Sequence, residues 1–190
     1  MQEVILGAGA ATGMFYHAPA GTKLPDSPFA TLDKAWVKVG DITEDGISLK
    51  MDRSTEDLKN WAKQTKRTIM TDHGESIEAP IMDTTEESLK TIFGENNVTT
   101  TAASASHGAL ISVNISAGSL PDPEAYLFLM KDGDTGIMIG CEYGQIDSVS
   151  DVSFAPGSAI NWTTTFKGLK DGWKIIFDDG AKTGASKTGA

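Results

Sequence analysis

Three of the chain's four Asp-Gly pairs, Asp45-Gly46, Asp132-Gly133 and Asp171-Gly172, cut it into short apolar runs. Such a pair is turn chemistry, because Gly takes backbone angles that other residues resist and Asp tolerates a tight corner. The runs between the corners alternate. In ISLKMD, Ile47, Leu49 and Met51 face one way and Ser48, Lys50 and Asp52 the other, which is a half-buried strand. ALISVNIS alternates at Ile111, Val113 and Ile115. SAINWTTTFK does so at Ile160, Trp162 and Phe166, with Thr164 interrupting. EAYLFLMK is apolar throughout, as a strand buried on both faces would be. WVKVG, RTIMTD, SIEAPIMD, TGIMIGCEYGQID and WKIIFDD bring the expected total to eight or nine strands.

One segment has helical spacing. In DTTEESLKTIFG, Leu89, Ile92 and Phe93 form one apolar face. Asp83 or Thr84 is the expected cap, with Glu86 or Glu87 completing a capping box, and Gly94 ends the helix. The fold class is therefore mainly β: a β-sandwich or partly closed barrel of about eight strands with one flanking α-helix. The 190 residues suit one domain. We expect an N-terminal arm over 1–30, the β domain over 31–179 and a flexible tail over 180–190.

Charge and motifs exclude several functions. The net charge is −10, and no cluster of Lys and Arg is present to replace the counterions of a nucleic acid. MQEVILGAGAATG imitates a dinucleotide loop through Gly7 and Gly9. Thr12 stands where the third glycine belongs, and Pro19, Pro25 and Pro28 forbid the helix that must follow. Near the C-terminus Ala185 and Ser186 replace the Gly and Lys of a P-loop. His17, His73 and His107 are scattered and Cys141 is the sole cysteine, so neither a zinc site nor a disulfide is expected. KDGDTG lacks the later ligands of a calcium loop and reads as a turn. No GxSxG is present and no Cys-His pair is suggested locally, so we expect no enzyme and no cofactor. Glu3 and the lack of Lys or Arg before Lys23 make a poor secretory leader, and no apolar run reaches membrane-spanning length. We expect a protein made in a reducing cytosol, with no membrane partner.

RSTEDLKNWAKQTK, Arg53 to Lys66, differs from its surroundings. It is charged, lies between two strand-like runs and is too long for a tight hairpin turn, so it reads as a long loop. Its Trp61 either anchors a contact with a partner or folds back onto its own core.

The stretch from Trp36 to Thr99 resembles the tail tube proteins (major tail proteins) of long-tailed, non-contractile phages, above all those of actinobacterial hosts. The resemblance lies in the order of its parts. WVKVG is followed by ITEDGI, by an acidic-to-Trp segment from Thr55-Glu56-Asp57 to Trp61, and by a strand pair. A short helix ending Ile92-Phe93-Gly94 and then Asn96-Asn97-Val98 complete it. The likeness covers Thr31 to Thr101 well and extends more loosely to Asp178.

What the resemblance implies is structural. Such subunits form homohexameric rings that stack into the virion's tail tube, assembled in the host cytoplasm. The tube encloses the tape measure protein, meets tail terminator and distal tail proteins at its ends, and passes DNA without binding it specifically. A long loop between two lumen-lining strands reaches the next ring. Here that stacking loop would be Arg53, Ser54, Thr55, Glu56, Asp57, Leu58, Lys59, Asn60, Trp61, Lys63 and Lys66. Lys50, Asp52, Asp72 and Glu142 are candidates for the lumen wall. An acidic balance suits a conduit that must not trap a polyanion. The alternative is a monomeric β-sandwich module binding carbohydrate or another ligand, suggested by the four Trp. That reading needs aromatics exposed on one face, whereas Trp36, Trp162 and Trp173 sit in apolar strand contexts.

Overall fold

The computed structural model describes residues 15–116 and 120–180. Ten strands appear among them: β1 (Phe15–Pro19), β2 (Val37–Gly40), β3 (Ser48–Lys59), β4 (Thr65–Ile81), β5 (Val98–Thr101), β6 (Leu110–Val113), β7 (Glu124–Asp132), β8 (Thr135–Val149), β9 (Trp162–Gly168) and β10 (Lys174–Asp178). The mainly β class with one α-helix is as the alternation predicts. Eight strands form one antiparallel sheet in the order β2-β1-β7-β8-β9-β4-β3, with β10 also on β8; β5 and β6 form a separate pair. β8 is the hub, because Gly136–Gly140 pair with β10 and Gly144–Val149 pair with β9. The sheet curls so that Ile42, beyond β2, bridges Ile81 at the end of β4. Two hydrogen bonds flank that bridge, Thr43 N–H to the Pro80 carbonyl (3.0 Å) and Met82 N–H to that of Asp41 (3.1 Å). They draw the two ends of the sheet together without closing it.

The inside of the curl is the main core. Phe15, Tyr126, Phe128 and Phe166 pack as a cluster within it. Phe15 stacks on Phe128 with centroids 4.7 Å apart, and Phe166 meets Tyr126 edge-on at 4.8 Å. Such geometry favours aromatic pairs beyond the area they bury. The opposite face of β7 and β8 is buried too. Ala125, Leu127, Leu129 and Met138 pack there with Ala18 and Trp36, and Leu24 and Leu32 lie over them. The unbroken apolar run of β7 thus serves two cores, as its composition predicts.

The segment expected as an arm differs from that expectation. Only residues 1–14 of it, including the Gly7-Gly9-Thr12 stretch, lie outside the described residues, as does Ala185-Ser186. Phe15–Pro19 is a strand held between β2 and β7. Residues beyond it drape over the second core so closely that two glycines of β8 admit no side chain. A Cβ on Gly140 would stand 2.6 Å from Leu24 Cδ2, and one on Gly136 would stand 2.8 Å from Pro28 Cβ. The prolines that bar a helix leave an extended cover.

The helix α1 (Glu86–Phe93) forms where its periodicity places it, but its cap is Thr85. Thr85 Oγ1 accepts the Ser88 N–H at 3.1 Å and Ser88 Oγ accepts the Thr85 N–H at 2.8 Å. The expected cap residues are engaged elsewhere. Asp83 accepts the Asp41 N–H at 2.8 Å, and Glu87 is drawn to His17. Gly94 at φ 89° ends the helix.

Arg53 to Lys66 is not a loop. β3 and β4 pair from Ser48↔Glu78 to Lys59↔Thr65, leaving only a short turn around Asn60–Gln64. RTIMTD and SIEAPIMD are likewise one strand, and His73-Gly74 does not break it.

Candidate functional site

The β3–β4 hairpin leaves the body at a definable point. β9 covers β4 only from Ser76 to Ile81, so among the described residues Thr65–Glu75 has β3 as its sole partner strand. Those eleven residues project about 35 Å at strand rise. Met51 marks the exit: Ile47 and Leu49, of the same parity, pack on the core, whereas Met51 is 63% exposed. A free two-stranded ribbon is marginal alone. This one also presents its unpaired edges to any neighbouring chain.

The tip is closed by local bonds. Asn60 N–H donates to the Gln64 carbonyl, Lys63 N–H to that of Asn60, and Gln64 N–H to Asn60 Oδ1, each at 2.9 Å. Below it Thr68 Oγ1 donates to Asp57 at 2.7 Å. Lys63 sits at φ 61°, the left-handed region, where a side chain costs about 1–2 kcal/mol. Trp61 is fully exposed and Leu58 and Met70 are about half exposed. Trp61 therefore does not fold back onto its own core. Lys59, Lys63, Lys66 and Arg67 lie within six residues of it in the sequence, all exposed.

The outer face of the sheet, away from the main core, has two regions. Over β1, β7 and the start of β8 it is covered by residues 20–36. Over β3, β4, β9 and the end of β8 it is open and polar. There Lys50, Asp52 and Asp72 line one groove together with Glu78, Asp147 and Lys167. Lys50 Nζ lies 2.9 Å from Asp52 Oδ2, and that bond raises the pKa of this exposed lysine. Glu142 is not among them. It stands at the margin of the cover, where it accepts the Leu24 N–H at 3.4 Å.

At the other end of the strands, below α1, a polar cavity of about 370 Å³ opens. His17 of β1 reaches it between two carboxylates: Nε2 lies 2.8 Å from Glu87 of α1 and Nδ1 3.0 Å from Glu124 of β7. Two carboxylates, one at each ring nitrogen, favour the doubly protonated ring, which donates from both. Burial opposes that charge; Glu124 first and Glu87 second outweigh it and raise the pKa above the ordinary 6.5. This clamp joins three elements that sequence separates by up to 107 residues, and nothing local to His17 announces it.

The other candidate chemical groups are dispersed. Cys141 is buried, and burial pushes its thiol up to about 12. Among the described residues no group of three or more His, Cys, Asp or Glu is placed to hold a metal ion. Trp36 and Trp173 are buried, and Trp162 donates its indole N–H to Thr84 Oγ1 at 3.0 Å. Residues 3–178 match the model of a family described as phage tail tube protein. No curated protein matches the chain.

Proposed function

Because the chain belongs to the phage tail tube protein family, a structural component of the virion tail, we propose that it assembles as homohexameric rings whose β3–β4 hairpins bind each ring to the next. The observation that carries this reading is the hairpin itself. Arg53 to Lys66 leaves the body, buries no face of its own and ends in a fully exposed Trp61. A ribbon with that composition gains its stability when a neighbour covers it.

The open polar face over β3, β4 and β9 is the proposed lumen wall, with Lys50, Asp52 and Asp72 on it. Five carboxylates, Asp52, Asp72, Glu75, Glu78 and Asp147, line that groove with two lysines, Lys50 and Lys167. That balance repels a DNA backbone, so a genome would pass without being held. Within such a tube the wall would enclose the tape measure protein, and the end rings would meet the tail terminator and distal tail proteins. Assembly would take place in the host cytoplasm.

The test replaces residues 54–72 by an Asn-Gly turn between the paired Arg53 and His73. Negative-stain microscopy and light scattering of the unmodified chain should show hollow rings and tubes, with mass rising in ring-sized steps. The shortened chain should keep its circular dichroism spectrum and form no stacks. Tubes of normal length from the shortened chain would overturn the stacking role.

A further inference from the structure

The two ends of the subunit carry opposite charge. From Leu58 to Thr71 the chain holds Lys59, Lys63, Lys66 and Arg67 and no acidic residue, in a protein of net charge −10. Lys63 keeps its side chain at a left-handed position where glycine would fit more easily, and Trp61 beside it touches nothing of its own chain's core. β4 runs from this tip to the bridge at Ile81 and hands on to α1. All neighbouring strands of the main sheet are antiparallel, so the cavity under α1, at the start of β7, lies at the far end of the strands. Along β4 the two are separated by up to about 55 Å. That cavity is edged by exposed Glu95 and Asp122, backed by Glu87 and Glu124, with Lys90 and His17 as its cations. Leu120, more than half exposed, and Pro121 give it an apolar lip.

We propose that the cationic, Trp-bearing hairpin tip of one subunit docks into the acidic cavity beneath α1 of a second copy of this chain in the adjoining ring. This rests on the stacking role proposed above and adds its acceptor. A tip and a receptor at opposite ends of one subunit make a head-to-tail contact that repeats without limit, as a tube requires. Opposite charges at the two ends favour that register and disfavour tip-to-tip pairing. Trp61 supplies the apolar anchor against Leu120 and Pro121, and the lysines ring it.

Charge reversal tests the pair. Lys63→Glu with Lys66→Glu at the tip, and Glu95→Lys with Asp122→Lys at the cavity, change exposed side chains and spare Glu87 and Glu124, which hold His17. Each pair should raise the concentration needed for tube growth by about tenfold or more, and the chain carrying all four should recover it. A cavity variant that grows tubes like the unmodified chain, while the tip variant does not, overturns the acceptor and leaves the hairpin's stacking role standing. Normal growth by the tip variant and by the hairpin-shortened chain overturns both. As a second readout, Lys63→Cys with Asp122→Cys is treated with a short bis-maleimide. The buried Cys141 thiol, neutral at working pH, adds no background. Assembled tubes of this chain should yield a ladder of linked subunits that neither single variant gives. Tubes without a ladder overturn the proposal.

Discussion

β7 and the β3–β4 hairpin are both antiparallel strand structure, and they are held in place for different reasons. Every residue of β7 from Ala125 to Met130 is buried, alternately in the main core and beneath the cover of residues 20–36. Beyond Glu75 the hairpin's residues are almost all exposed, on both faces. Burial supplies most folding free energy, so the body should form in the isolated subunit, whereas the hairpin is completed by a partner. The same secondary structure thus marks a foundation in one place and an unsatisfied surface in the other.

The largest effect should come from the core. Phe166→Ala removes a fully buried ring that meets Phe15, Tyr126 and Phe128. It should lower stability by about 3–5 kcal/mol in urea unfolding. A loss well under that would mean the curl is less tightly packed than its ring contacts require.

Next is the cover. Gly140→Ala puts a methyl against Leu24 and within 3.0 Å of the Tyr126 carbonyl oxygen. Leu24 must give way, which should loosen the cover at about 1–3 kcal/mol. Limited proteolysis at Lys23 and Lys34 should accelerate in step; unchanged cleavage would separate the cover from the second core.

The His17 clamp tests the other end of β1. Its folded pKa is raised above 6.5, so its contribution is fully present below 6.5 and is lost as pH rises through the raised value. His17→Gln should cost about 1–2 kcal/mol at pH 5.5, less at pH 9, and flatten the dependence of Tm on pH over that span. An equal loss at both pH values would show that shape, not charge, holds β1 there.

The smallest effect on the subunit should be at the hairpin. Trp61→Ala should leave the isolated subunit within about 0.5 kcal/mol of the parent, because the indole has no contact with its own core. The same change should prevent tube growth. A variant as destabilised as Phe166→Ala would erase the distinction between the two regions.

Much of this was legible in sequence where burial leaves a period. The alternation in ISLKMD, the apolar run of β7 and the 3–4 spacing of α1 each report a buried face. Arg53 to Lys66 has neither pattern, because the hairpin there buries neither face, and a ribbon without a buried face looks like a loop. Thr55, Thr65, Thr68, Ile69 and Thr71 carry the one available signal, their preference for strands. Residues 15–36 misled for another reason. Prolines excluded a helix correctly, but whether an extended segment lies on a core depends on what waits beneath it. The His17 clamp was illegible because its carboxylates arrive from α1 and β7.

The sequence by itself determined the mainly β class, the helix α1 and the doubly buried β7, since these depend on local period and turn chemistry. Only the tertiary structure decided that residues 15–36 belong to the body, that the charged segment is a projecting ribbon, and that its cationic tip and an acidic cavity lie at opposite ends of the strands. Those facts depend on pairing between residues far apart in the chain, and side-chain periodicity within a segment carries no record of its partner.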